Sequence, residues 1–187
     1  MMIMININNF IQEKLKINSK SKISQYTYQP KDRDELKELI DKLIEKRGNN
    51  ADLNDINTSE ITDMYDLFTF SNSRFNGDIS EWDVSNVKGM SQMFMGSDFT
   101  GKNGDISNWD VSNVEDMSCM FQHSKFNGDI SKWDVSNVEN MNNMFQDSKF
   151  TMKNGDISNW NIHKLKDMSW MFANSPLEKN PPKWYHE

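Results

Sequence analysis

The sequence predicts an α/β solenoid, in which each coil holds one short parallel strand and one short helix, with a capping helix ahead of the coils. The first observation is a fifteen-residue sequence motif that recurs almost unchanged, as "NGDISEWDVSNVKGM", "NGDISNWDVSNVEDM" and "NGDISKWDVSNVENM". The second is a period of 24 to 27 residues, kept by tryptophans and by glycines alike. The third is an amphipathic pattern directly before the first copy. The periodic residues are Trp82, Trp109, Trp133 and Trp160, with Gly77, Gly104, Gly128 and Gly155.

Within one coil, each part of the motif predicts a different element. "DISKWDV" is short and rich in β-forming residues, which indicates a strand whose tryptophan points into the core. "SNVENMNNMF" places its apolar residues at helical spacing, which predicts a short helix or 3₁₀ turn with Ser136 as its N-cap. "NGD" predicts a turn, because glycine tolerates positive φ. One such unit cannot bury its apolar side alone. Stacked copies can bury it against each other, which explains why the same residues recur in each copy.

Four segments follow from this pattern. Residues 1–24 are a leader or tail, 25–50 a capping strand and helix, 51–175 five coils, and 176–187 a C-terminal cap. The capping helix covers "DRDELKELIDKLIEKRG", with Asp32 or Asp34 at its start and Gly48 at its end. The first coil is degenerate, and its Asp52 aligns with Asp78 of the second. Two three-residue insertions, "TGK" and "TMK", should emerge on the same side of the molecule.

Charge is distributed unevenly along the 187 residues, whose formal net charge is −7. Residues 1–50 carry 10 Lys/Arg and 7 Asp/Glu, whereas residues 51–187 carry 11 and 21. This acidic main body argues against nucleic-acid binding, which needs a basic surface. No secretory signal and no apolar run of about 20 residues is present, so no membrane insertion is expected. A cytoplasmic or virion-associated location follows as the expectation.

Two ladders of aspartates accompany the repeat, one after each glycine and one after each tryptophan. The ladder after the tryptophans can bind Ca²⁺ or a basic partner, and the ladder after the glycines can bind Ca²⁺; alternatively, each aspartate caps its own turn or faces water. The second interpretation is favoured, because Asn57 and Asn161 replace the charge at the ends of the tryptophan ladder and the glycine ladder lacks the clustered ligands of a calcium loop. The single Cys119 and the three histidines stand in no catalytic or metal-binding motif, so neither an enzyme nor a cofactor is predicted. The ladders are Asp78, Asp105, Asp129 and Asp156, and Asp83, Asp110 and Asp134.

The repeat F-N-G-D-I-S-x-W-D-V-S-N-V-x-x-M-x-x-M-F resembles that of BspA-like leucine-rich-repeat proteins, over about residues 50–175. This resemblance implies a right-handed, leucine-rich-repeat-like solenoid. It also implies adhesion or protein binding, usually at a cell surface. The segment "FIQEKLKINSKSK" is similar to short leaders on proteins of tailed phages that infect gut bacteria.

A non-catalytic protein–protein interaction module is therefore the predicted function, with a protein partner that the sequence does not identify. The alternatives are a structural or virion-associated phage protein that docks through its N-terminal leader, and a surface adhesin. The candidate partner-binding residues vary between coils or form the second aspartate ladder. They are Glu81, Asp83, Asn108, Asp110, Lys132, Asp134, Asn159 and Trp170.

Trp170 departs from the repeat, because the corresponding position of other coils holds Gln92, Cys119 or Asn143. Two interpretations stay open. In the favoured one, the C-terminal tail "SPLEKNPPKWYHE" packs over this tryptophan and seals the last coil. In the other, Trp170 is an exposed anchor for a partner, since tryptophan is enriched at binding hot spots.

Overall fold

The computed structural model describes residues 26–186, and these contain one α-helix, α1 (Arg33–Arg47), and one 3₁₀ turn, Phe70–Asn72. Among them β-pairing is limited to isolated parallel bridges, and no strand forms. The predicted α/β solenoid, with a strand and a helix in every coil, is therefore wrong. The predicted leader, residues 1–24, lies outside the described residues.

The capping helix is confirmed in its position, its start and its end. Asp32 is the N-cap, and its side chain accepts a hydrogen bond from the Glu35 N–H. Gly48 ends the helix with φ 86°, a value that glycine adopts without strain, and its N–H donates to the Ile44 carbonyl. The face of α1 that packs on the repeats consists of Leu36, Ile40, Leu43 and Ile44. The strand predicted before it is reduced to a single bridge between Tyr28 and Ile56.

The repeats stack in register through one line of bridges, which provides a numbering from repeat 1 to repeat 5. The bridged residues are Asp63 in repeat 1, Gly89 in repeat 2, Asp116 in repeat 3, Asn140 in repeat 4 and Asp167 in repeat 5. A separate bridge joins Asp52 to Asp78, which confirms the alignment of the degenerate first repeat. Each repeat thus lies directly against the next, although no strand carries the pairing.

Turns replace the predicted strand. In "DISKWDV" the Asp129 Oδ1 atom accepts the Ser131 N–H at 2.8 Å, and the Trp133 N–H donates to the Ile130 carbonyl at 3.2 Å. An Asp-x-Ser sequence offers its backbone a local side-chain acceptor, which competes with strand pairing. The β-forming composition was misleading because Ile130, Trp133 and Val135 are buried by a chain that turns and does not form a strand.

Successive β-turns replace the predicted helix. The Met144 N–H donates to the Met141 carbonyl, and the Gln146 N–H donates to Asn143, so each turn closes over three residues. Such closure gives the same apolar spacing as a 3₁₀ helix. Ser136 is not a helix N-cap; its N–H donates to the Asp134 side chain in another turn.

A left-handed residue stands at a fixed place in each of these turn segments. The variable position that holds Trp170 in repeat 5 has φ between 54° and 58° in repeats 2 to 5. Positive φ at the third residue is the signature of a type II β-turn. The residues are Gln92, Cys119, Asn143 and Trp170.

Two columns of phenylalanine rings form the centre of the core. In the first column, rings of neighbouring repeats stack with centroids 5.3 to 5.8 Å apart. In repeats 1 to 4 the first-column ring also stacks on a second-column ring of its own repeat, as Phe121 does on Phe126 at 4.1 Å. The first column is Phe68, Phe94, Phe121, Phe145 and Phe172, and the second is Phe75, Phe99, Phe126 and Phe150.

The predicted inward tryptophans are buried, and each is fixed by the preceding repeat. The Trp133 Nε1–H donates to the Ile106 carbonyl at 3.0 Å, and equivalent bonds hold the other three. Trp184 in the tail continues the series, because its Nε1–H donates to Ile157 at 3.0 Å. The paired methionines fill the core as predicted, except that Met168 is only partly buried.

The glycines of "NGD" are required by space, not by positive φ as predicted. A Cβ atom on Gly77 would lie 2.0 Å from the Ala51 carbonyl oxygen, and one on Gly104 would lie 2.9 Å from that of Gly77. Neighbouring repeats therefore approach too closely here for a side chain. The two insertions do share one side, since Thr100 and Thr151 bond to equivalent asparagines, Asn76 and Asn127.

Candidate functional site

A groove crosses the surface above the tryptophan column of repeats 2 and 3. Its volume is about 710 Å³, and the edges of Trp82 and Trp109 form its floor. Four exposed carboxylates line the groove with that floor, and no lysine or arginine of the described residues contributes to the lining. We call this surface the tryptophan groove; its carboxylates are Glu81, Asp83, Asp105 and Asp110.

The carboxylates of the groove are held by the turns that precede and follow each tryptophan. Asp83 Oδ1 accepts both the Ser85 N–H at 3.0 Å and the Ser85 hydroxyl at 2.6 Å. Asp110 repeats this arrangement with Ser112. Within residues 26–186 the Oδ2 atoms of Asp83 and Asp110 make no hydrogen bond, so each carboxylate keeps one oxygen for a ligand. The aspartates are thus turn-forming residues and a negative surface at the same time.

The structure brings together only half of the predicted partner-binding residues. Glu81, Asp83, Asn108 and Asp110 line the tryptophan groove. Lys132, Asp134 and Asn159 are exposed at equivalent positions of the next repeats, outside that lining. Asp105, also in the lining, was missed as a partner residue; its period of 27 residues from Asp78 was the available signal.

Trp170 is not covered by the C-terminal tail, so the favoured interpretation of this residue is wrong. Its side chain is 62% exposed. The tail instead stacks Trp184 on Trp160, with centroids 6.2 Å apart, and sets the Tyr185 ring edge-on to Phe172 at 5.0 Å. The aromatic tail therefore closes the core columns and leaves Trp170 beside them.

Two cations of α1 contact the first repeat, which the sequence did not predict. Arg33 Nε donates to the Tyr65 carbonyl at 3.0 Å, and Lys37 Nζ donates to the carbonyls of Asp66 and Leu67. Burial lowers the pKa of Lys37, although the nearby Asp66 carboxylate opposes this effect. A lysine directly beside the apolar residues of α1 was the only sequence signal.

The remaining candidate chemistry has structural explanations. Within residues 26–186, no three His, Cys, Asp or Glu side chains converge to hold a metal ion. Burial raises the pKa of the Cys119 thiol, which keeps it protonated at neutral pH. No helix among these residues has the length and apolar content to cross a bilayer.

A protein-family model matches the repeats and their flanking segments. The family is described as "Mycoplasma protein of unknown function, DUF285", and its model matches residues 34–150 and again 97–185. The chain belongs to this family. The match supports the predicted kinship with a BspA-like repeat family, and the DUF285 region runs from α1 into the aromatic tail. No curated protein and no solved structure matched the chain.

Proposed function

We propose that this DUF285 chain is a non-catalytic protein-interaction module, and that the tryptophan groove binds a basic, extended segment of a partner protein. One observation carries the proposal. Four carboxylates face a groove with an apolar floor, and within residues 26–186 no lysine or arginine of the lining neutralises them. An apolar floor with a single sign of charge around it favours a ligand that is both cationic and partly apolar.

The size of the groove supports a peptide segment as the ligand. About 710 Å³ is within the usual range for a small ligand and corresponds to a few amino-acid residues. The floor is narrow, because Trp82 and Trp109 are only 4% and 5% exposed. Affinity should therefore come mainly from the carboxylates, and binding should weaken steeply with salt.

The direct test measures binding of a fluorescent peptide with alternating lysine and leucine residues. The groove variant is Glu81→Gln, Asp83→Asn and Asp110→Asn together. Asparagine preserves the turns, because Asn57 and Asn161 occupy the same position natively and accept the same type of hydrogen bond. We expect the groove variant to lose about tenfold or more in affinity, corresponding to about 1.4 kcal/mol.

A matched control removes the same number of charges elsewhere, through Glu45→Gln, Glu115→Gln and Glu178→Gln, all exposed and outside the groove. Equal losses in the groove variant and the control would show that only net charge matters, and would contradict the proposal. Deletion of residues 1–22 provides the second control. If the deletion abolishes binding, the leader is the binding element and the groove is not.

A further inference from the structure

Every second N–H of the turn segment donates to the next repeat. In repeat 4, Met141 donates to the Asp167 carbonyl at 2.8 Å, and Asn143 donates to the Ser169 carbonyl at 3.0 Å. The same bonds join repeat 1 to repeat 2, repeat 2 to repeat 3, and repeat 3 to repeat 4. All these bonds have one direction, because the donors lie in the earlier repeat and the acceptors in the later one.

Repeat 5 has the same donors, and within residues 26–186 no later repeat accepts their bonds. Within residues 26–186, the N–H groups of Met168 and Trp170 donate to no acceptor. Phe172, the next donor in the series, lies beneath the aromatic tail. Met168, Trp170 and the tail residue His186 line a cleft of about 400 Å³. We call the backbone of residues 168–170 the open edge.

The preceding interfaces show which chemistry fits the open edge. The ligand must offer backbone carbonyl oxygens on alternate residues, as Asp167 and Ser169 do for repeat 4. A free extended peptide has this pattern, and its addition to an unpaired edge is a common mode of recognition. Trp170 stands directly on the edge and is 62% exposed, so it offers an apolar surface for a side chain of the peptide.

A second copy of the chain fits the open edge less well than a free peptide does. In a head-to-tail arrangement, Trp170 would face the Tyr65 carbonyl of repeat 1, which already accepts a hydrogen bond from Arg33 Nε. In a tail-to-tail arrangement, two rows of N–H donors would face each other. Neither arrangement offers an unoccupied acceptor to both Met168 and Trp170, and a buried donor without an acceptor is costly.

We propose that the open edge is a second docking surface, which binds an extended segment of a partner protein through its backbone carbonyls, with Trp170 as the apolar anchor. This surface is distinct from the tryptophan groove. It recognises backbone and one apolar side chain, whereas the groove recognises positive charge. The segment that binds here need not be basic.

The test uses the full chain labelled with ¹⁵N and the acetylated, amidated peptide "VENMNNM", which copies residues 138–144. In the intact protein this sequence occupies the equivalent edge of repeat 3, where Asn140 and Asn142 accept from Met117 and Cys119. We expect the peptide to shift the amide resonances of Met168 and Trp170 and to slow their hydrogen exchange. The resonances of Glu81, Asp83 and Asp110 in the groove should not move.

Two variants separate backbone pairing from adventitious contact. Replacing the amides after Asn140 and Asn142 of the peptide by esters weakens both carbonyl acceptors and should reduce affinity. Trp170→Gly keeps the left-handed backbone and removes the ring, and should weaken binding by about tenfold. The matched variant Asn143→Gly changes the same position in repeat 4, where the edge is already paired, and should leave affinity within about twofold.

Three results would overturn the proposal. The first is a peptide that fails to bind, or that shifts the groove resonances in place of those at the open edge. The second is an ester peptide that binds as tightly as the amide. The third is slow exchange of the Met168 and Trp170 amides without peptide at high protein concentration, which would identify a second copy as the occupant.

Discussion

The two ends of the repeat stack differ in how their backbone groups are hydrogen-bonded. At the N-terminal end the exposed backbone groups are carbonyls, and α1 brings Arg33 and Lys37 to bond them. At the C-terminal end the N–H groups of Met168 and Trp170 are without acceptors, because the tail residues up to His186 cover the aromatic columns and do not bond them. Because the alternate N–H groups of each turn segment all donate to the next repeat, this row of bonds begins at carbonyls in repeat 1 without donors from an earlier repeat and ends at donors without acceptors in repeat 5. This molecule closes the first end and leaves part of the second open.

The difference shows that covering a core and satisfying a backbone are separate tasks. Side chains with a large apolar ring, such as Trp184, cover the tryptophan column by stacking and by one hydrogen bond to Ile157. Long cationic side chains can reach several carbonyls at once from a helix that lies across the end. Only the N-terminal end has both kinds of group, because α1 also contributes Leu36 and Ile40 to the core.

The largest expected effect concerns the middle of the stack, where both neighbours are present. Trp133→Ala removes a ring buried between repeats and should lower the free energy of unfolding by about 3–5 kcal/mol. Trp184→Ala at the C-terminal end should cost less, about 1–2 kcal/mol, because that ring is half-buried and has a repeat on one side only. Denaturant unfolding measures both. A loss below about 1 kcal/mol for Trp133→Ala would contradict its role in the core.

A smaller effect is expected at the N-terminal end. Lys37→Met keeps the aliphatic part of the side chain but leaves the Asp66 carbonyl and carboxylate without their lysine. The Asp66 Oδ1 atom is already buried without a hydrogen-bond partner, so the loss should be about 1–3 kcal/mol. The control is Lys42→Met on the exposed face of the same helix, which should change stability by less than about 0.5 kcal/mol. Equal effects would mean that α1 does not close the stack through Lys37.

Acid should weaken the turns that contain Asp129 in repeat 4 and Asp167 in repeat 5. Hydrogen bonds from the Ser131 N–H lower the pKa of Asp129, and those from the Ser169 hydroxyl lower the pKa of Asp167. Because the folded pKa is lowered, their stabilisation is complete above the ordinary value near pH 4 and disappears as the pH falls through the lowered one. Asp129→Asn keeps the acceptor and does not titrate, so its acid-unfolding midpoint should fall by on the order of a few tenths of a pH unit. An unchanged or higher midpoint in circular dichroism would contradict this role.

The smallest effect on stability is expected at the open edge. Trp170→Gly removes an exposed ring from a left-handed residue, φ 58°, that glycine adopts more easily. The free energy of unfolding should rise slightly or change by less than about 1 kcal/mol. Asn143→Gly in repeat 4 is the comparison, with the same φ region and a paired backbone. A large loss in Trp170→Gly would show that this ring belongs to the C-terminal cap after all.

The accuracy of the sequence predictions depended on which interactions were local. α1 was predicted with its cap and its end because Asp32, Gly48 and the apolar spacing all act within the helix. The repeat period and the inward tryptophans were also recovered, since burial depends on a periodic pattern. The strand and the helix of each repeat were wrong. Their apolar spacing is shared by successive β-turns, and only the destination of each N–H distinguishes the two.

The candidate site shows the same division. The variable positions and the aspartates that flank each tryptophan predicted an interaction surface, and two of each kind line the tryptophan groove. The open edge could not be predicted, because the sequence does not show whether a backbone N–H has an acceptor. Nor did the sequence indicate that Trp184 and Tyr185 would pack on Trp160 and Phe172 while Trp170 stayed exposed.

By itself, the sequence determined the repeat length, the residues that form the core, the capping helix and the acidity of the surface, because composition and periodicity encode burial and charge directly. Only the tertiary structure decided that the repeats are built from turns and that alternate N–H groups of each turn segment donate to the next repeat. A backbone N–H is chemically the same in every residue except proline. Its hydrogen-bond partner therefore depends on the position of the neighbouring repeat and not on the residue type.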